Sequence, residues 1–248
     1  MATALHSLAA TRETPDIETS SEVYAWRFNG PAGGYLLAMQ ARAVRAAMPP
    51  IASPSVLEVG GGHGQLVPLF AELGCRTTVI GSDASCSDRL RRLGWSDSVQ
   101  LVTGDLLDLP YTDRAFDVVV SVRLLAHMKD WPRLLSECCR VARHSIVFDY
   151  PSKRSVNTLM PLLFGVKRML EPDVRTFTSF SREELLEVLA RAGYGIEAEH
   201  KQFLLPVALH RKTGARLKGL EAIARWSALT RCFGSPVVLR ADRSKPMR

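Results

Sequence analysis

The chain has 248 residues, 46% of them hydrophobic and 23% charged, with a formal net charge of +7. That length suits one α/β domain with decorations and can bury a substantial core; no run of about 18 apolar residues is present to span a membrane, and no basic start with a long apolar stretch marks a secretory leader. Five cysteines without a C-x-x-C spacing support neither a metal site nor a disulfide framework, so no metal is expected and a reducing, cytoplasmic compartment is.

Residues 1–18 carry no periodic pattern and are expected to form a disordered leader. Thr19-Ser20-Ser21-Glu22 has the form of a capping box and predicts a helix start. Asn29-Gly30-Pro31 and Gly33-Gly34 interrupt it, and a second helix is predicted over about Tyr35–Ala47, ending before Pro49-Pro50. Residues 19–50 are thus expected to be an N-terminal helical lid. From Ser55, short apolar runs alternate with amphipathic ones. Strands are predicted at Ser55–Val59, Arg76–Ile80, Val99–Thr103, Phe116–Ser121 and Ser145–Asp149. A helix over about Trp131–Arg143 puts Trp131, Leu134, Leu135, Cys138 and Ala142 on one face.

Residues 151–180 break this rhythm and are expected to be a helical insertion on the substrate side. Its Leu159, Met160, Leu162, Leu163 and Phe164 either face an apolar or aromatic acceptor or pack the insertion onto the core. Ser181–Glu184 is another capping box, opening a helix that ends at Gly193. Strands at Ile196–Leu204 and Pro236–Ala241 follow, with a basic helix over about 214–229 between them. Arg211, Lys218 and Arg225 recur every seven residues and so share a face. That face either rests peripherally on an anionic membrane surface or is simply solvated. Strand–helix alternation gives an α/β fold, a mostly parallel sheet covered by helices on both sides.

Val56-Leu57-Glu58-Val59 runs straight into Gly60-Gly61-Gly62-His63-Gly64. A glycine-rich turn after a first strand lets a ligand approach the main chain closely. The dinucleotide fingerprint G-x-G-x-x-G/A fails here: counted from Gly60 it ends on Gln65, and counted from Gly62 on Val67. The spacing acidic-x-G-x-G-x-G fits Glu58, Gly60, Gly62 and Gly64. Asp83 ends the second strand, where a carboxylate accepts from ribose hydroxyls or caps the next helix. Asp105 ends the third, where it and the Leu106 N–H can meet an adenine. Three strand ends therefore converge on one crevice.

Leu109-Pro-Tyr-Thr-Asp-Arg-Ala-Phe-Asp117, with Val118–Val122, Leu125, His127 and Arg140-Val141, resembles the same run in class I S-adenosylmethionine (SAM)-dependent methyltransferases. The wording is most similar to the small-molecule group that includes ubiquinone and menaquinone methyltransferases. The likeness covers residues 55–150 well and 181–248 loosely. One departure is Ala142-Arg-His-Ser145, where relatives have a Pro-Gly-Gly turn. The resemblance implies a Rossmann-like fold with a seven-stranded sheet, SAM as cofactor and S-adenosylhomocysteine as product. It implies Gly60 and Gly62 beside the methionine part of SAM, Asp83 on the ribose, Asp105 and Leu106 at the adenine, Ser121 and Val122 near the methionine, and Glu58 and Ala84 among the cofactor-binding residues. Arg27 either pairs with the SAM carboxylate or is a solvated surface cation. His63 shapes the cofactor pocket and Tyr24 comes from the lid.

The acceptor is expected to be a small molecule methylated at O, N or C. His127, just after the fourth strand, is either a general base or a helix cap; Tyr150, with Asp149, is the candidate acceptor-orienting residue. A nucleic-acid acceptor is the alternative raised by the basic charge. It is not expected: the arginines are dispersed, Ser121-Val-Arg-Leu stands where an Asn/Asp-Pro-Pro-Tyr motif would, and no Pro-Cys pair is present. The other alternative is a SAM-binding protein without catalysis.

Overall fold

Short runs rich in Val and Ile extend because branched side chains fit a pleated surface better than a helix. They form β1 (Ser55–Val59), β2 (Arg76–Gly81), β3 (Gln100–Thr103), β4 (Phe116–Ser121), β5 (Ala142–Tyr150), β6 (Tyr194–Lys201) and β7 (Val237–Arg243). A computed structural model, describing residues 12–155, 177–205, 209–210 and 217–244, joins them in one sheet of order β3-β2-β1-β4-β5-β7-β6. Strand β7 runs antiparallel to β5 and β6; the remaining pairs are parallel. The order reverses between β1 and β4, where Val56–Glu58 pair with Val118–Val120. Chain leaves β1 toward one edge and β4 toward the other, so a crevice opens at their carboxyl ends.

The helices are α1 (Asp16–Thr19), α2 (Glu22–Trp26), α3 (Gly30–Ala47), α4 (Val67–Glu72), α5 (Asp88–Arg92), α6 (Trp131–Val141), α7 (Arg182–Arg191), α8 (Lys218–Trp226) and α9 (Leu229–Phe233). Alternation along the strands supplies both faces of the sheet. Val119, Ile146 and Phe148 meet Leu134, Leu135 and Cys138 of α6 and Leu185 and Leu189 of α7. Val118, Val120 and Val147 meet Val44 and Ala47 of α3 and Leu69 and Phe70 of α4. Each such fully buried Val or Leu contributes about 1.5–3 kcal/mol.

Several expectations shift. Helix α3 starts at Gly30, because Pro31 takes the first turn, where its fixed φ and missing N–H are tolerated. Its second half is a core layer, with Ala43, Val44 and Ala47 buried, so residues 19–50 are not a separate helical layer over the sheet. The N-cap of α2 is Ser21, which accepts from the Tyr24 N–H, and not Thr19. The capping box at Ser181 and Glu184 forms in both directions. Strand β6 ends at Lys201, since the Leu204 and Leu205 N–H groups donate to the Glu221 carboxylate instead of a ladder. The basic helix stops at Trp226, and Ala228, in the left-handed region, separates it from α9. The leader expectation fails from Arg12 onward: Asp16 is wholly buried. Leu159–Phe164 lie outside the described residues. No helix among the described residues is long and apolar enough to cross a membrane.

Candidate active site

The glycine loop is built by three different constraints. Gly60 has φ 74°, the left-handed region that glycine enters without penalty, and its N–H donates to the Ile80 carbonyl. A Cβ on Gly61 would stand 2.3 Å from the Glu58 carboxyl carbon, which is folded beneath the loop. A Cβ on Gly62 would stand 2.2 Å from both the Cys86 carbonyl oxygen and the Ser20 hydroxyl. Ser121 closes the floor by donating from its hydroxyl to the Val59 carbonyl, tying the ends of β4 and β1. Val122 follows it, buried.

Polar atoms under this loop are held without a hydrogen-bond partner among the described residues: Glu58 Oε2 and both ring nitrogens of His63. Burial pushes the Glu58 carboxyl up to about 8. Burial, with Arg123 and Arg89 nearby, lowers the His63 imidazole to about 3. Both groups are therefore neutral near pH 7 in the ligand-free protein. The His63 ring packs edge-on against Tyr24 and Phe28, with centroids 5.9 and 5.7 Å away. The Arg123 guanidinium lies 4.0 Å over the Phe28 ring.

Folded Glu58 stays protonated up to about pH 8, whereas in the unfolded chain it ionises near 4.5. Its contribution to stability is complete below pH 4.5 and is lost as pH rises through 8. Thermal unfolding of wild type and Glu58→Gln between pH 5 and 8 should show wild type losing stability relative to the variant as pH rises. A constant difference across that range would refute the neutral buried carboxyl.

Asp83 is exposed at the end of β2. Its Oδ1 accepts from the Ser85 N–H and hydroxyl, capping a short 3-10 turn at Ala84–Ser87. Those two bonds hold its carboxyl below the usual range, so it is ionised. Asp105 turns the chain after β3 by accepting from the Leu107 N–H, and Leu106 is buried beside it. Arg123, in the left-handed region after β4, donates its N–H to Asp149 Oδ1 at 2.6 Å, and Gln40 of α3 donates to the other oxygen. Arg27 ends α2 with its guanidinium 5.4 Å from the centre of the Tyr24 ring. His127, half-buried, ends a 3-10 turn at Leu125–His127.

Tyr150 does not join this set. Residues 149 and 150 point to opposite faces of β5. Asp149 reaches Gln40 and Arg123, while Tyr150 is buried against Phe148 and Phe180 with its hydroxyl donating to Glu199. The expected Asp149–Tyr150 pair is split by the sheet, and Tyr150 reads as a core residue.

Residues 12–22 form a strap that no local pattern announces. The Arg12 guanidinium donates to the Gly104 carbonyl after β3, at 2.6 Å. Glu13 accepts from the Lys129 and Asp130 N–H groups beyond β4. Asp16 accepts from the Ser82 N–H and hydroxyl after β2 and from the Cys86 thiol. Glu22 pairs with Arg89 and Arg92 at the end of α5. The strap thus crosses the carboxyl edge beside the glycine loop. A buried pair, His210 and Glu221 with Nε2 to Oε1 at 3.0 Å, lies past the end of β6 against Tyr35 and Phe203. A four-residue helix has no readable period, and the partners of Asp16 and Glu221 are distant in sequence, so neither feature leaves a local signal.

Comparison with known proteins bears on the strands that build this crevice. Residues 57–146, from β1 into β5, match the family described as methyltransferase domain. That segment of the chain is a methyltransferase domain. A probable SAM-dependent methyltransferase of Mycolicibacterium smegmatis is 31% identical over 146 residues, 59% of this chain and 54% of that protein. The chain thus spans about half the length of that relative. Demethylmenaquinone methyltransferase of Symbiobacterium thermophilum is 29% identical over 192 residues, covering 65% of this chain and 76% of its own. Magnesium protoporphyrin IX methyltransferase of Synechocystis, solved with bound S-adenosylhomocysteine, superposes at TM-score 0.65 with 14% identity, over 92% of this chain and 97% of its own. The domain's own residues fit such a cofactor: a glycine loop packed too closely to admit side chains at Gly61 and Gly62, and buried polar atoms beneath it without hydrogen-bond partners among the described residues.

Proposed function

We propose that this protein transfers a methyl group from SAM to a small, apolar or aromatic acceptor. The observation that carries the reading is the glycine loop, with Glu58 and His63 left unpartnered beneath it at the one point where the sheet order reverses. SAM supplies a methyl already activated by its sulfonium. Gly60 and Gly62 give it backbone to lie against, and Glu58 and Arg27 offer a carboxyl and a guanidinium to its amino-acid end. Asp83, ionised, accepts from the ribose hydroxyls beside Ala84. Asp105 and the Leu106 N–H hold the adenine. Ser121 and Val122 form the floor.

Transfer in line needs the acceptor held still, and positioning supplies most of the rate in such reactions. Tyr24, Phe28 and His63 offer rings and Arg123 a cation to a flat acceptor near the loop. His127 is the proposed base for acceptors that must lose a proton, with about 10²–10⁴-fold of rate at stake. His127→Ala should therefore lower kcat and leave SAM affinity within about twofold. Equal losses in SAM affinity would make His127 a structural residue instead. The reading as a whole is tested by incubating the protein with methyl-labelled SAM and small-molecule extracts or tRNA. Label in small molecules supports it; label in tRNA alone overturns the choice of acceptor.

A further inference from the structure

Helices on a protein surface normally turn apolar residues inward and charges outward. Helices α8 and α9 do the reverse. Trp226 is 89% exposed and Ile223 62%, and Leu220, Leu229 and Phe233 are exposed with them, spaced three or four residues apart. Glu221, the single carboxylate between residues 218 and 233, is 0% exposed. It is turned inward and consumed by His210 and by the Leu204 and Leu205 N–H groups. The same stretch carries Lys218, Arg225 and Arg231. An apolar stripe with its one acid withdrawn is thus presented outward, on a stretch whose remaining charges in sequence are cations.

We infer that α8 and α9 form a docking face for an anionic lipid bilayer, with Leu220, Ile223, Trp226, Leu229 and Phe233 entering the boundary between headgroups and acyl chains. Interfacial helices combine these features: Trp, Leu, Ile and Phe on one side and Lys and Arg beside them. Each cation near an anionic surface adds to the attraction. A second copy of the chain fits less well, because a two-fold contact sets each patch against itself. A stretch whose sequence carries three cations, and whose one carboxylate is turned inward, would then meet itself. The face also adjoins the catalytic edge. Lys201, at the end of β6, donates to the Cys232 carbonyl of α9 and pairs with Val237, as does Tyr150 at the end of β5. A bilayer held there lies beside the edge that carries the crevice, and the inference stands independently of what the crevice does.

The test is co-sedimentation of the full chain with phosphatidylcholine vesicles, with and without phosphatidylserine, for wild type and the double variant Ile223→Glu, Trp226→Glu. Both positions are exposed, and a thermal melt confirms folding. Wild type should bind the phosphatidylserine vesicles and weaken with salt. The double variant should lose about tenfold or more of that binding while binding SAM as wild type does. No binding of wild type, binding indifferent to phosphatidylserine, or unchanged binding by the variant would each overturn the inference. So would a dimer in analytical ultracentrifugation that the same double variant dissolves, since the stripe would then belong to a second copy.

Discussion

Gly62→Val should weaken SAM binding by at least about 100-fold, which corresponds to roughly 2.7 kcal/mol. The added Cβ would stand 2.2 Å from the Cys86 carbonyl oxygen on one side and from the Ser20 hydroxyl on the other. The first is backbone and cannot swing aside. The second sits in the strap, which Asp16 anchors at Ser82. The loop must therefore move or the strap must lift, and either displaces the backbone on which the cofactor is proposed to lie. Overpacking of this kind costs typically about 1–3 kcal/mol in stability as well. Gly195→Ala is the control, because a Cβ there meets nothing within 4 Å; it should leave SAM affinity unchanged. Calorimetry on both variants checks the pair. Gly62→Val binding at wild-type strength would show that the loop does not touch the cofactor.

Asp83→Asn should weaken SAM by roughly ten- to a hundredfold with almost no loss of thermal stability. Asp83 does two jobs that this variant separates. As a cap it accepts from Ser85, and Asn caps helices about as well as Asp. As a ribose acceptor it works as an ion, and hydrogen bonds to charged groups contribute about 1.5–3 kcal/mol. Asp83→Ala should show the same weakening and, in addition, a stability loss of about 1 kcal/mol from the missing cap. Full SAM affinity in Asp83→Asn would leave the carboxylate as a cap alone.

The sheet was legible in the sequence because its strands are short apolar runs with clear breaks. Ser55–Val59 and Phe116–Ser121 have the expected bounds. Two strands missed their bounds for tertiary reasons: β5 starts earlier where Ala142 pairs with Phe116 of β4, and β6 shortens where Glu221 captures the next N–H groups. The loops proposed to hold the cofactor were equally legible as loops, since Gly60, Gly62, Asp83 and Asp105 follow closely on strand ends. The acceptor half was not. The strap of residues 12–22 was not legible, because Asp16 owes its burial to Ser82 and Cys86, far along the chain. Arg123 and Gln40 meet through Asp149, three residues from three separate elements. Tyr150 was misplaced by one step of strand alternation, which sends it to the opposite face from Asp149.

The central claim is that the crevice between β1 and β4 is a SAM site. Titration calorimetry of the purified full chain with SAM, S-adenosylhomocysteine and NAD tests it most directly. Saturable heat at one site per chain is expected with SAM and with S-adenosylhomocysteine, and none with NAD, whose fingerprint Gln65 disrupts. Saturable heat with NAD, or none with SAM and S-adenosylhomocysteine, would contradict it.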